Sequence, residues 1–246
     1  MKIKKSFFLL IILCKMNAQN EPLEADRPDQ TETPSIVPVG MFQVESGFSF
    51  EKSEAQSISF LLPSSLWKYG VSKKIELRMI AEFLFEEQER EKQNGMLPVV
   101  VGFKINLLQE RKWVPKTSLI SHISLKNCAS EKYKSTYSMP DFRFTLQHAL
   151  TKNYSLGSNL GATWDNFTKQ PTFLYTFTLG HSISKYIGSY VEVFGFAPQN
   201  QIAFHTIDGG ITYYINNNLM LDGSIGLGIT QNAPKYYLAL GITFRI

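Results

Sequence analysis

Charged side chains recur at alternate positions in segments that are otherwise apolar. Glu45, Glu76, Arg78, Glu82, Lys104, Lys126, Arg143, Glu192, Asp208, Asp222 and Arg245 form the set, and all but Glu45 and Lys126 sit between aliphatic, aromatic or glycine neighbours. A period of two places such residues on one face of a strand. Two kinds of chemistry suit the set. The charges can line a water-filled path and set its preference for ions or solutes. They can also pair across a narrow interior that long Arg, Glu and Tyr side chains fill. The paired lining is the stronger expectation, and it still leaves room for a narrow channel.

Nucleophilic chemistry has one candidate. His122 and Ser124 stand two residues apart, the Ser/His spacing of a twelve-stranded outer-membrane phospholipase, in which serine attacks and histidine takes its proton. Leu119, Ile123 and Leu125 claim the other face of that strand, so His122 and Ser124 point away from lipid. The next strand offers Asp141 and Arg143 there, with no clear asparagine. An enzyme is therefore not expected. His181 and Ser182 are adjacent and fall on opposite faces. None of the four histidines, His148 and His205 included, has a metal-ligand pattern around it, and no cofactor is called for. Asp26, Asp29 and Glu32 read as a solvated acidic tail rather than a calcium site.

The elements that must position these residues are strands. Tyr236, Leu238, Leu240, Ile242, Phe244 and Ile246 alternate with Tyr237, Ala239, Gly241, Thr243 and Arg245. The same grammar recurs in segments of about ten residues, the length a tilted strand needs to cross a bilayer. Twelve such runs are predicted: 41–50, 56–69, 74–86, 96–109, 115–126, 138–150, 154–164, 172–184, 186–197, 202–215, 219–230 and 235–246. Links after even strands are short, as at Val71–Lys73 and Asn216–Asn218. Links after odd strands are mostly longer, Glu87–Gly95 and Asn127–Tyr137 most of all. Short periplasmic turns, long outer loops, an even strand count and both ends in the periplasm belong together in bacterial barrels. Pro63 is the strand-breaker that fits least well. Trp67, Tyr69, Tyr154, Trp164, Tyr186, Tyr213 and Tyr236 lie near strand ends, where aromatic girdles meet the headgroups.

The start of the chain reads as an export signal over residues 1–18, with Lys2, Lys4 and Lys5 ahead of the apolar run Ser6–Leu13. Ile12 and Leu13 argue against lipidation of Cys14. The formal charge is +4, with 25 basic and 21 acidic residues. Four of those lysines precede Ala18 with no acidic partner, so the remainder is neutral. No basic patch suggests nucleic acid. Cys128 is the one cysteine after that point, which rules out an internal disulfide. Residues 19–40 hold four prolines and five acidic residues without periodicity. They read as an irregular periplasmic segment that could enter the barrel as a plug. Residues 41–246 form the barrel domain.

A family resemblance rests on particular blocks. The run Ala25-Asp26-Arg27-Pro28-Asp29-Gln30-Thr31-Glu32-Thr33-Pro34 is followed by Val37-Pro38-Val39-Gly40 and Gln43-Val44-Glu45-Ser46-Gly47-Phe48. Next come Trp67-Lys68-Tyr69-Gly70-Val71, Asp208-Gly209-Gly210-Ile211-Thr212-Tyr213 and Leu221-Asp222-Gly223-Ser224-Ile225-Gly226. Together they resemble the outer-membrane transporter family named for the meta pathway of phenol degradation, over nearly all of residues 25–246. The resemblance implies an all-β, antiparallel, up-and-down transmembrane barrel in the outer membrane of a Gram-negative bacterium. It implies a pore or transporter for small solutes, hydrophobic or aromatic compounds among them, and does not imply phenol itself. A structural or adhesive barrel is the alternative; a phospholipase-like enzyme ranks below it. Expected partners are the lipid bilayer, an unidentified solute, and the barrel-assembly machinery acting on the C-terminal strand. The sequence fixes no oligomeric state.

Overall fold

The computed structural model describes residues 21–53, 57–88 and 91–246. The predicted export signal lies outside these residues. Twelve long antiparallel strands close on themselves. They are β1 (Phe42–Lys52), β2 (Ile58–Ser72), β3 (Ile75–Gln88), β5 (Val100–Leu108), β6 (Lys116–Ser124), β7 (Pro140–Ala149), β8 (Tyr154–Trp164), β9 (Pro171–Ser182), β10 (Ile187–Pro198), β11 (Phe204–Asn216), β12 (Leu219–Gly228) and β13 (Tyr236–Arg245). Each pairs with its sequence neighbours, and β1 closes the circle against β13. Closure matters in hydrocarbon, where an open edge would leave amides without partners.

A thirteenth strand, β4 (Glu91–Met96), departs from the twelve predicted runs. β4 takes up most of the stretch expected as a long loop, Glu87–Gly95, and runs antiparallel along β3, with Phe83 opposite Met96 and Gln88 opposite Glu91. Lower down, β5 takes over as partner of β3, Ile80 opposite Val100. β4 and β5 thus form one wall position, interrupted at Leu97–Val99. Pro98 explains the break, because it has no N–H to give a neighbouring strand. Pro63 is accommodated similarly: the β2–β3 register slips between Leu61 and Ser64, where the proline sits in a bulge.

Register carries one face around the whole wall. Directly opposed residues share a face, and Lys68 opposes both Gln43 and Arg78. Glu192 opposes Thr178 and Asp208. Arg245 opposes Gln43. These residues are buried, while Leu160, Val191, Ile211, Ile225 and Leu240 on the other face are exposed. The outer surface is therefore a belt of aliphatic and aromatic side chains. Trp67, Tyr69, Tyr154, Tyr186 and Tyr213 are exposed near its short-turn rim.

The short links, such as Ser72–Ile75 and Asn216–Leu219, all lie at one end. The β6–β7 link, with a 3₁₀ turn at Glu131–Tyr133, lies at the other and folds over β4. There Ser130 N–H donates to Met96 O at 2.9 Å. Cys128 is exposed in that link. A membrane-impermeant maleimide added to intact cells should label Cys128 in the unaltered protein. With Cys128→Ser, it should label Gln93→Cys and miss Asn217→Cys. Labelling at Asn217 and protection at Gln93 would mean that the barrel is inverted.

Candidate functional site

Residues 21–40 make no regular element, yet they are tied to the inside of the wall along their whole length. The segment starts at the short-turn rim, where Arg245 donates to Glu21 O at 2.7 Å and Leu23 N–H donates to Asn217 O at 2.8 Å. Leu23 and Ala25 pack on Met220, with Tyr214 beside them. The chain climbs to Gln30, whose N–H donates to Glu192 at 2.8 Å. It then descends past Asn159, which exchanges hydrogen bonds with the Glu32 backbone at 2.8 and 2.9 Å. It leaves by Val37, whose N–H donates to Glu76 at 2.8 Å. At the exit Val39 bridges to Gly70 in parallel. Gly70 is required here: a Cβ would lie 2.3 Å from the carbonyl oxygens of Val37 and Pro38.

Asp26 is the centre of this arrangement. Its carboxylate accepts from Lys104 at 2.9 Å, Arg78 at 2.9 Å and Lys68 at 3.1 Å. Lys68 also pairs with Glu45, and Arg78 with Glu76 at 3.2 Å and Glu32 at 2.6 Å. Arg143 reaches Glu32 at 3.3 Å. Four carboxylates face four cations in this network, so its charge closes at zero. The wall alone would be left with two unmatched positive charges, and Asp26 and Glu32 of the entering segment supply the balance. Balance is needed because Lys68, Arg78, Lys104, Glu45 and Glu76 are each 3% exposed or less. Ions so far from water persist only when paired and hydrogen-bonded.

The opposite wall has the opposite sign. Asp222, Glu192 and Asp208 stand on β12, β10 and β11. Arg27 meets Asp222 in a two-point contact, Nη2–Oδ1 at 2.9 Å and Nε–Oδ2 at 3.3 Å. Glu192 accepts from Gln30 N–H and the Thr31 hydroxyl. Asp208 accepts from the hydroxyls of Tyr190 and Tyr237.

The candidate residues named from sequence fall unevenly on this frame. Glu45, Glu76, Arg78, Lys104, Arg143 and Asp222 belong to ion pairs inside the wall. Arg245 holds Glu21 at the rim. Glu82 accepts from Ser64 at 2.7 Å, outside the ion-paired network. Three expectations need correction. Lys126 lies beyond the end of β6 and is exposed. Asp26 is no solvated tail residue, because three wall cations converge on it. Glu192 does not sit among opposite charges; its carboxylate neighbour is Asp208, and its bonds come from the entering segment. Of the motif Asp26, Arg27, Pro28, Asp29 and Gln30, the first two make ion pairs and the last caps Glu192. Lys68 was missed, although its place on a strand beside Trp67 and Tyr69 follows the same alternation.

The His122 and Ser124 pair points inward. Arg78 Nε donates to His122 Nε2 at 3.1 Å. A guanidinium can only donate, so Nε2 accepts and the ring proton sits on Nδ1, aimed at Asp141 at 3.1 Å. Ser124 Oγ donates instead to Asn166 at 2.9 Å. Arg78 thus occupies the nitrogen that a nucleophilic serine would need.

Above the apex of residues 21–40 the lumen opens into a cavity of about 860 Å³ toward the long-loop end. Arg27–Gln30 form its floor. Phe194, Phe196, Phe204 and Tyr237 form one wall, and Leu61, Ser64, Glu51 and Glu82 the other. A second space, about 440 Å³, lies below the segment at the short-turn end beside Lys116 and Arg245.

Among solved structures the chain is similar to the COG4313 outer membrane channel from Pseudomonas putida F1. The TM-score is 0.71 at 10% identity, over 91% of this chain and 100% of that one. It is also similar to the NanC porin, with a TM-score of 0.55 at 10% identity, over 83% of this chain and 100% of that one. At such identities the likeness is one of fold, that of outer-membrane barrels. No curated protein matches it in sequence. The profile of the family described as "Putative MetA-pathway of phenol degradation" matches residues 25–246.

Removing Asp26 should cost far more than removing an exposed carboxylate. Asp26→Ala strands Lys104, whose carboxylate partner is Asp26, and should destabilise the barrel by about 3–5 kcal/mol. Glu87→Ala breaks an exposed 3.5 Å pair with Lys92 and should cost less than about 1 kcal/mol. Urea titration in lipid, read by heat-modifiable gel mobility, measures both. Equal midpoints would show that the buried network contributes nothing.

Proposed function

The chain belongs to this family, and from that premise we propose that it is an outer-membrane channel for small apolar or aromatic solutes, gated by residues 21–40. The observation that carries the reading is the division of the lumen. Its periplasmic half is filled by an ion-paired segment, and its outer half is an open cavity with a phenylalanine wall. A polar pore has little use for Phe194, Phe196 and Phe204 on its lining, whereas an apolar solute gains from each contact with them. The family's description, phenol degradation, agrees with an aromatic solute without naming one for this chain. β13 is the strand through which the barrel-assembly machinery would act. The occupied Nε2 of His122 supports a transport role over lipolysis.

Conductance tests the gate. In planar bilayers the unaltered protein should show small, rare current steps. The double variant Asp26→Ala/Glu32→Ala, which removes the segment's two carboxylates from the cation cluster, should raise conductance several-fold. A conductance equal to that of the unaltered protein would overturn the gating role. Liposomes that stay impermeable to small aromatic solutes with either protein would favour a structural barrel. Purified protein should release no fatty acid from phospholipid with calcium present; release abolished by Ser124→Ala would reinstate the enzyme.

A further inference from the structure

The outer cavity has a charge signature that an aromatic wall alone does not explain. We infer that it is a binding site for organic ammonium ions carrying an apolar or aromatic body. The inference rests on the channel reading above and specifies the solute class of that same cavity.

Three carboxylates, Asp29, Glu51 and Glu82, line the cavity. Among the described residues none of them is ion-paired with a lysine or arginine, in contrast to Asp26, Glu32, Glu45 and Glu76 below. The one cation of the lining, Arg27, is already engaged by Asp222 in its two-point contact. The wall beneath continues the same sign with Glu192 and Asp208. The cavity is thus acidic, in contrast to the pair-by-pair balance of the network around Asp26.

A second observation points to a ligand. Thr206 lines this cavity and is 1% exposed, yet its hydroxyl has no hydrogen-bond partner. Buried polar atoms in a folded protein nearly always find partners. An ammonium N–H is a donor that the hydroxyl oxygen of Thr206 can accept.

The aromatic wall suits the same ligand. Phe194, Phe196 and Tyr237 line the same cavity as these carboxylates, and aromatic ring faces attract cations as well as apolar groups. An anion would meet carboxylates with no free cation. A neutral aromatic would fill the phenylalanine side and leave the acidic side without a counter-charge.

Three probes of nearly equal shape separate these cases: 2-phenylethylammonium, 2-phenylethanol and phenylacetate. Titration calorimetry with the full barrel in nanodiscs at low salt should give 2-phenylethylammonium the lowest Kd, at least tenfold below the other two. Raising salt should narrow that gap, as expected of an electrostatic preference. Glu82→Gln should weaken ammonium binding about tenfold and leave 2-phenylethanol unchanged; Thr206→Val tests the unpartnered hydroxyl in the same way. Equal affinity for ammonium and alcohol would overturn the cation preference and leave the channel reading standing. Tighter binding of phenylacetate would do the same. Binding of none of the three would overturn both.

Discussion

The buried cation cluster inside this barrel must be electrically closed, and the wall cannot close it alone. Within that cluster Lys68, Arg78, Lys104 and Arg143 outnumber the wall carboxylates Glu45 and Glu76, and most of these groups have almost no contact with water. Unmatched ions at such depth cost several kcal/mol each. Asp26 and Glu32 bring the missing negative charge, and Arg27 brings a positive one to Asp222 on the far side. The entering segment is therefore complementary to a wall of two signs. Its irregular backbone is held by side chains of that wall rather than by helix or sheet. Hydrogen bonds from Asn159, Ser118 and Lys104 to the Glu32, Pro34 and Thr33 backbone serve the same end.

The strand register makes that complementarity possible. Because opposed residues share a face, Gln43, Lys68 and Arg78 stand side by side, as do Thr178, Glu192 and Asp208. A slip of one residue anywhere would turn a row of buried charges into lipid, at about 2–4 kcal/mol per charge near the midplane. The bulge that absorbs Pro63 sits toward the outer end, above Lys68 and Arg78, so it does not disturb their alignment. The break at Pro98 likewise spares Lys104.

Much of this was legible in the sequence because a membrane barrel has strict local rules. Alternation located the strands and turned Glu45, Glu76, Arg78, Lys104, Glu192, Asp208 and Asp222 to the buried face. Alternation speaks only of faces, however. It could not show that Asp26 joins Lys68, Arg78 and Lys104, because that contact spans 42 to 78 residues and one partner lies in a segment with no periodicity. Residues 19–40 look polar and proline-rich, like many exposed tails; the burial of Asp26 and its neighbours depends on charges elsewhere. The β3–β4 hairpin escaped for a related reason. Glu91–Met96 is rich in charge and amide side chains and shows none of the apolar alternation that marks the other strands.

Holding the segment with ion pairs rather than an apolar core has a consequence for opening. A buried pair gains Coulomb energy but gives up the hydration of both ions, and the two nearly cancel. Removing one partner by mutation exposes the full cost, because the other charge stays buried and alone. Moving the whole segment aside is different: water that enters with its departure rehydrates Lys68, Arg78, Lys104 and the carboxylates together. The same contacts are thus strict about position and mild toward concerted release. An apolar plug of similar size would show the reverse, since water entering behind it would meet greasy surface and gain nothing. The ion-paired segment would suit the proposed gate, which must close specifically and still open, while the small apolar contact of Leu23 and Ala25 with Met220 keeps its root at the short-turn rim.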